Sequence, residues 1–144
     1  MITIDIFYRQ LAIFIADMSN PYNNWSTRSF NQGFAYRIGS VSFDTIEDGE
    51  FKVYINEENN LNGDKIIRKI VVPIQTNNGF EIGSINSTIK IDLSPGNYEI
   101  EYSLYENKII QLNINRREIN PEILIMKDKE IVKIEDLFLN EEKA

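Results

Sequence analysis

The chain has no cysteine and no histidine. The first absence excludes disulfide frameworks, Cys-ligated zinc and thiol nucleophiles. The second removes the usual general base at neutral pH, and with it Ser/His/Asp and Cys/His catalysis and nearly every zinc or non-haem iron site. Basic charge is also short. Lys+Arg 15 against Asp+Glu 22 gives a net charge of −7 and an isoelectric point near 4.7, a balance that opposes non-specific attraction to nucleic acid or anionic lipid and favours a basic partner. No run approaches the ~18 apolar residues that a membrane helix requires. The apolar opening Met1 to Met18 is interrupted by Asp5 and Arg9, and no small-residue cleavage site follows it. These features predict one soluble domain over 1–144, located in the cytoplasm and reaching the membrane's inner face only through a partner.

What is present is strand-forming sequence. Apolar residues alternate in Ile2, Ile4, Ile6, Tyr8 and again in Leu11, Ile13, Ile15, the period-2 pattern of strands with one buried face. The slip between the two sets, at Arg9-Gln10, predicts a bulge or bend in a long first strand. Asp17 to Asn24 reads as loop. Trp25, Phe30 and Phe34 recur near helical spacing behind Ser26 or Thr27 as cap, so one short helix is expected near 26–34, with Gly33 helping to end it. From Ala35 onward come β-rich runs at roughly 36–44, 50–57, 65–76, 79–84, 87–93, 97–105, 108–115 and 121–126. They are broken by Asp48-Gly49, Asn62-Gly63, Asn78-Gly79 and Pro95-Gly96, pairs that supply positive φ or a preset turn. Phe51, Val53 and Ile55 form one inward set, Ile89, Ile91 and Leu93 another, and Tyr98, Ile100, Tyr102 and Leu104 a third. Ile131 to Glu142 reads as a short amphipathic helix. The expected fold is mostly β, an antiparallel sandwich.

The chemistry left to an enzyme is thin. Glu99 and Glu101 alternate on a strand as a glycosidase pair could, yet charged outward positions recur along these strands. The loop Asp44-Thr45-Ile46-Glu47-Asp48-Gly49-Glu50 offers oxygen ligands for calcium but lacks the alternate acidic spacing of an EF-hand. Gly33 and Gly39 do not form a phosphate cradle, and Arg116-Arg117 stands beside Glu118 without aromatic interleaving. No catalytic residue, metal site or cofactor is expected. Two features remain as binding surface. In a meander the 44–50 turn shares an end with 77–79 and 94–96, opposite 57–64 and 106–107, so Asp44, Glu47, Asp48 and Glu50 form an acidic patch suited to a cationic surface. Tyr22 and Trp25 offer an aromatic hot spot, a sugar platform or a staple between helix and sheet.

The order of short strings then carries a resemblance. Ile4 to Ile15, Asn24-Trp25-Ser26-Thr27, Gly33-Phe34-Ala35-Tyr36, Gly39-Ser40-Val41-Ser42-Phe43, Lys69-Ile70-Val71-Val72-Pro73-Ile74 and Leu93-Ser94-Pro95-Gly96-Asn97-Tyr98-Glu99 together resemble the competence protein J (ComJ) family over about residues 4–105. The part from 108 to 144 departs from that pattern. The resemblance implies a small non-enzymatic protein that binds and inhibits a DNA-entry nuclease used in transformation. Alternative readings are a carbohydrate- or calcium-binding β-sandwich module and an immunity protein for an unrelated toxin.

Overall fold

The computed structural model describes residues 1–57, 65–117, 124–126 and 142–143. Its elements, in chain order, are β1 (Ile2–Ile6), β2 (Gln10–Ile15), β3 (Asn23–Asn24), α1 (Thr27–Gln32), β4 (Phe34–Arg37), β5 (Ser40–Asp44), β6 (Gly49–Ile55), β7 (Ile66–Thr76), β8 (Phe80–Ser84), β9 (Ser87–Ile91), β10 (Gly96–Tyr105), β11 (Ile109–Arg116), β12 (Leu124–Met126) and β13 (Glu142–Lys143). They form a six-stranded sheet in the order β1-β6-β11-β10-β7-β12, a five-stranded sheet in the order β4-β5-β2-β8-β9, and a small β13-β3 ladder. Neighbours are antiparallel except β6 and β11. The β-sandwich expected from the alternation is the fold. The expected helix at 131–142 lies outside the described residues.

The core forms where the inward sets of the two sheets meet. Tyr98, Ile100, Tyr102 and Leu104 of β10 are all buried while Glu99 and Glu101 point outward. Phe43 of the five-stranded sheet stacks on Tyr102 of the other with ring centroids 4.4 Å apart, and Phe80 meets Tyr98 edge-on at 5.7 Å. Each fully buried side chain of this size contributes about 1.5–3 kcal/mol. The layers are also joined by a polar link, the Tyr36 hydroxyl donating to the Pro73 carbonyl at 2.7 Å. Ile89 departs from the expected inward set. It faces the interior side opposite Ile82 but stands 40% exposed, because β9 is paired on one side alone among the described residues and the second layer does not cover it.

The path of the chain differs from a meander. β1 and β2 are not one bent strand. The chain reverses at Tyr8 and Arg9, both at φ 56°, a left-handed pair suited to a tight reversing turn, and β2 enters the other sheet. The turns at Asp48-Gly49, Asn78-Gly79 and Pro95-Gly96 likewise carry the chain from one sheet to the other. The hairpins within a sheet lie instead at Ile38-Gly39, Ile85-Asn86 and Glu106 to Lys108. Consequently the 44–49 segment shares its end with the 106–108 turn, where residues of both line one hollow. Gly79 and Gly39 lie at the opposite end, accepting from Ala16 and Ile15 at the close of β2. The grouping with 77–79 and 94–96 is therefore overturned. Turn chemistry marks where a chain reverses, not whether the next strand joins the same layer.

One buried carboxylate holds the β5–β6 crossing. Asp44, 5% exposed, accepts from the Arg9 guanidinium at 3.0 and 3.3 Å and lies 3.6 Å from Nη1 of Arg68, itself 1% exposed. Its Oδ1 also accepts from the Ile46 backbone N–H at 2.8 Å. That bond fixes a β-branched residue at φ 69°, a conformation that costs of order 1–3 kcal/mol when unsupported. The Asp44 carbonyl takes the Tyr102 hydroxyl at 3.1 Å. Removing the carboxylate breaks its bonds to the Arg9 guanidinium and the Ile46 N–H and takes a counter-charge away from the buried Arg68, so Asp44→Ala is expected to lower unfolding free energy by about 3–5 kcal/mol in urea melts, whereas Glu47→Ala three residues on leaves the midpoint nearly unchanged.

Candidate functional site

The expected binding residues separate into those inside the molecule and those on its surface. Asp44 belongs to the ion-pair hub and is buried, its carboxylate already paired with Arg9 and Arg68. Glu47, Asp48 and Glu50 are exposed and, apart from Asp48 accepting the Arg9 backbone N–H at 2.6 Å, their carboxylates make no hydrogen bond or ion pair among the described residues. The structure adds a fourth carboxylate that sequence reasoning missed. Asp5 of β1 stands directly across the ladder from Glu50 of β6, and like charges in that position repel. Its signal was present in the outward phase of the β1 alternation, but its neighbour is fixed by long-range pairing. The Lys108 ammonium packs beside Gly49, between Asp48 and Glu50 in the chain.

The aromatic residues gather at the same end. The Ser26 hydroxyl caps α1 by accepting the Ser29 N–H at 3.2 Å, and Gly33 ends the helix at φ 86°. This short helix presents Phe30, 58% exposed, against Trp25 with centroids 5.0 Å apart. Trp25 and Phe30, with Tyr8, Arg9, Gln10, Asp44 and Asp48, border a hollow of about 470 Å³. The Trp25 Nε1 finds no hydrogen-bond partner among the described residues.

Tyr22 lies on the other side of the Tyr8 turn. Its ring meets Phe14 edge-on at 6.0 Å and its hydroxyl donates to the Ser84 carbonyl at 3.1 Å. It lines a second, mainly apolar cleft of about 310 Å³ together with Phe7, Tyr8, Ala12 and Ile85. Tyr8, 72% exposed, is thus a ridge between an apolar hollow and an acidic one. Phe7, Tyr8 and Ile85 were not singled out from sequence as binding surface, and Tyr8 read there as the end of a buried alternation. The reversing turn, held by Ser84, whose Oγ accepts the Phe7 N–H at 3.0 Å and lies 3.1 Å from the Gln10 carbonyl, turns them outward.

The remaining chemical options are occupied. Glu99 pairs with Arg117 at 2.5 Å and Glu101 with Lys69 at 3.0 Å, so each carboxylate has its own cation on the outer face. Among the described residues no group of three or more His, Cys, Asp or Glu side chains is placed to hold a metal ion, and no helix is long and apolar enough to cross a membrane. Burial, with a smaller push from Glu81, holds the Tyr22 phenol above its ordinary value, and burial alone does so for Tyr36. A raised phenol pKa stabilises the fold while the unfolded phenol is still protonated and ceases to do so as pH rises through the folded value. Stability is therefore expected to fall above about pH 10. Tyr22→Phe and Tyr36→Phe should each flatten that decline in urea melts taken between neutral and alkaline pH.

Comparison with known proteins agrees with this architecture. The model of the competence protein J family matches residues 3–117. The solved structure of ComJ from Bacillus subtilis, described as an inhibitor of the DNA degrading activity of NucA, superposes with a TM-score of 0.61 at 23% identity, covering 77% of this chain and 92% of that one. No curated protein sequence matches. With most of its length inside the family match, the chain belongs to the competence protein J family.

Proposed function

We propose that this chain is a non-catalytic inhibitor that binds a DNA-degrading nuclease in the cytoplasm and blocks its approach to DNA. The observation that carries the reading, beyond family membership, is the set of four carboxylates, Asp5, Glu47, Asp48 and Glu50, left without ionic partners among the described residues, with Asp48 on the hollow that Tyr8, Trp25 and Phe30 border. A nuclease has to attract a polyphosphate, so the rim of its active site is electropositive. Carboxylates on an inhibitor enter the same field, speed the encounter and compete with DNA for that surface. Affinity comes from the desolvated centre of an interface, on the order of 1,600 Å² in total for a standard complex. Tyr8, Trp25 and Phe30, which border one hollow with Asp48, supply such a centre.

The test is the combined variant Glu47→Lys, Asp48→Lys, Glu50→Lys, assayed against a DNA-degrading nuclease from the same organism. Association is expected to slow by about tenfold or more at low salt, with a weaker dependence on ionic strength and DNA cleavage restored. Unchanged inhibition by a variant that melts like the parent would remove this face from the interface.

A further inference from the structure

Two hollows share one wall. The 310 Å³ cleft of Phe7, Tyr8, Ala12, Tyr22 and Ile85 is mainly apolar, and the 470 Å³ hollow on the far side of Tyr8 ends on Asp48. Three of the apolar lining residues are left in water: Phe7 at 39%, Tyr8 at 72% and Ile85 at 51% exposure. Scattered apolar residues need no explanation, but a contiguous set bordered by unpaired charge of one sign marks an interaction surface. The cleft is held open by bonds that do not depend on an occupant. The Ser84 hydroxyl ties the two sides of the Tyr8 turn, and the Tyr22 hydroxyl is anchored on the Ser84 carbonyl. Its walls are preorganised, so filling it requires little ordering of the chain.

We infer that this cleft is the socket for an apolar side chain of the inhibited nuclease, seated one residue's width from a Lys or Arg that meets Asp48 across the Tyr8 ridge. The inference rests on the nuclease-inhibitor reading and deepens it. Volume sets the kind of group, since an apolar cavity of about 150 Å³ accommodates benzene and this cleft is larger, with room for a Phe, Tyr or Leu side chain. Charge sets the kind of partner. The Arg9 guanidinium is committed to Asp44, so the border toward Asp48 is anionic, and the complementary surface is an apolar protrusion flanked by cations. Phe30 and Trp25 complete the far wall of the acidic hollow, where a guanidinium can also lie against an aromatic face.

Tyr8→Ala and Ile85→Ala, both at exposed positions, test the socket in the full chain. Each is expected to weaken binding of a DNA-degrading nuclease from the same organism by about tenfold or more, through faster dissociation, with the association rate and its salt dependence unchanged. The charge variants act instead on the association rate and its salt dependence. Independently of the nuclease, millimolar indole is expected to shift the methyl resonances of Ala12 and Ile85 in the wild-type chain and not in Tyr8→Ala. Variants that bind as tightly as the wild type, or indole that leaves both methyl signals unmoved, overturn the inference. A wild-type chain that inhibits no nuclease sinks the functional reading instead, and the indole mapping still decides whether the cleft takes an apolar group.

Discussion

The contact between Asp44 and the two arginines, Arg9 and Arg68, is the constraint from which the working end of the molecule follows. It joins the end of β5, the turn into β2 and the start of β7, three segments far apart in the chain. A buried ion pair is a weak source of net stability, because desolvation offsets most of its Coulomb gain. Its value here is geometric. With both guanidinium groups converging on one carboxylate, the chain leaving β5 is bent at Ile46 and delivered to the opposite sheet. The next residues, Glu47 and Asp48, are left in water as a consequence.

The same hub explains why net charge is a poor guide to the binding surface. Residues 118–144, beyond the family match, hold eight acidic residues against four lysines. They account for −4 of the −7, leaving −3 for the rest of the chain. Local pairing decides more than the total. Asp44 is neutralised twice over, Glu99 and Glu101 are each matched to a cation, and Asp5 and Glu50 face each other with no such match. A like-charge pair across a ladder is a small cost to the fold that a cationic partner converts into attraction.

Both surface features arise where strands change layer. The Tyr8-Arg9 reversal and the 44–49 crossing carry the chain between sheets at one end of the sandwich, and the β8–β9 hairpin brings Ile85 to meet them. A reversal between layers cannot bury all its side chains, since its residues lie beyond the edge of both inner faces. Exposed aromatic groups at that place are supported by rigid strands on either side, the arrangement that allows loops to bind without collapsing.

The sequence by itself determined the class of the protein: strands with one buried face, a capped short helix at the Trp25 segment, no imidazole or thiol chemistry, and membership expected from an ordered set of strings. These are local properties, carried by alternation, by turn-forming residues and by composition. Tertiary structure alone decided which layer each strand joins, and therefore that the 44–50 turn lies with 106–108 and not with 77–79, that Asp44 is interior, and that Asp5 opposes Glu50. Phe7, Tyr8 and Ile85 became surface for the same reason. Period and turn propensity act over a few residues, whereas layer assignment and charge pairing are settled by contacts between segments tens of residues apart, whose partners no local pattern names.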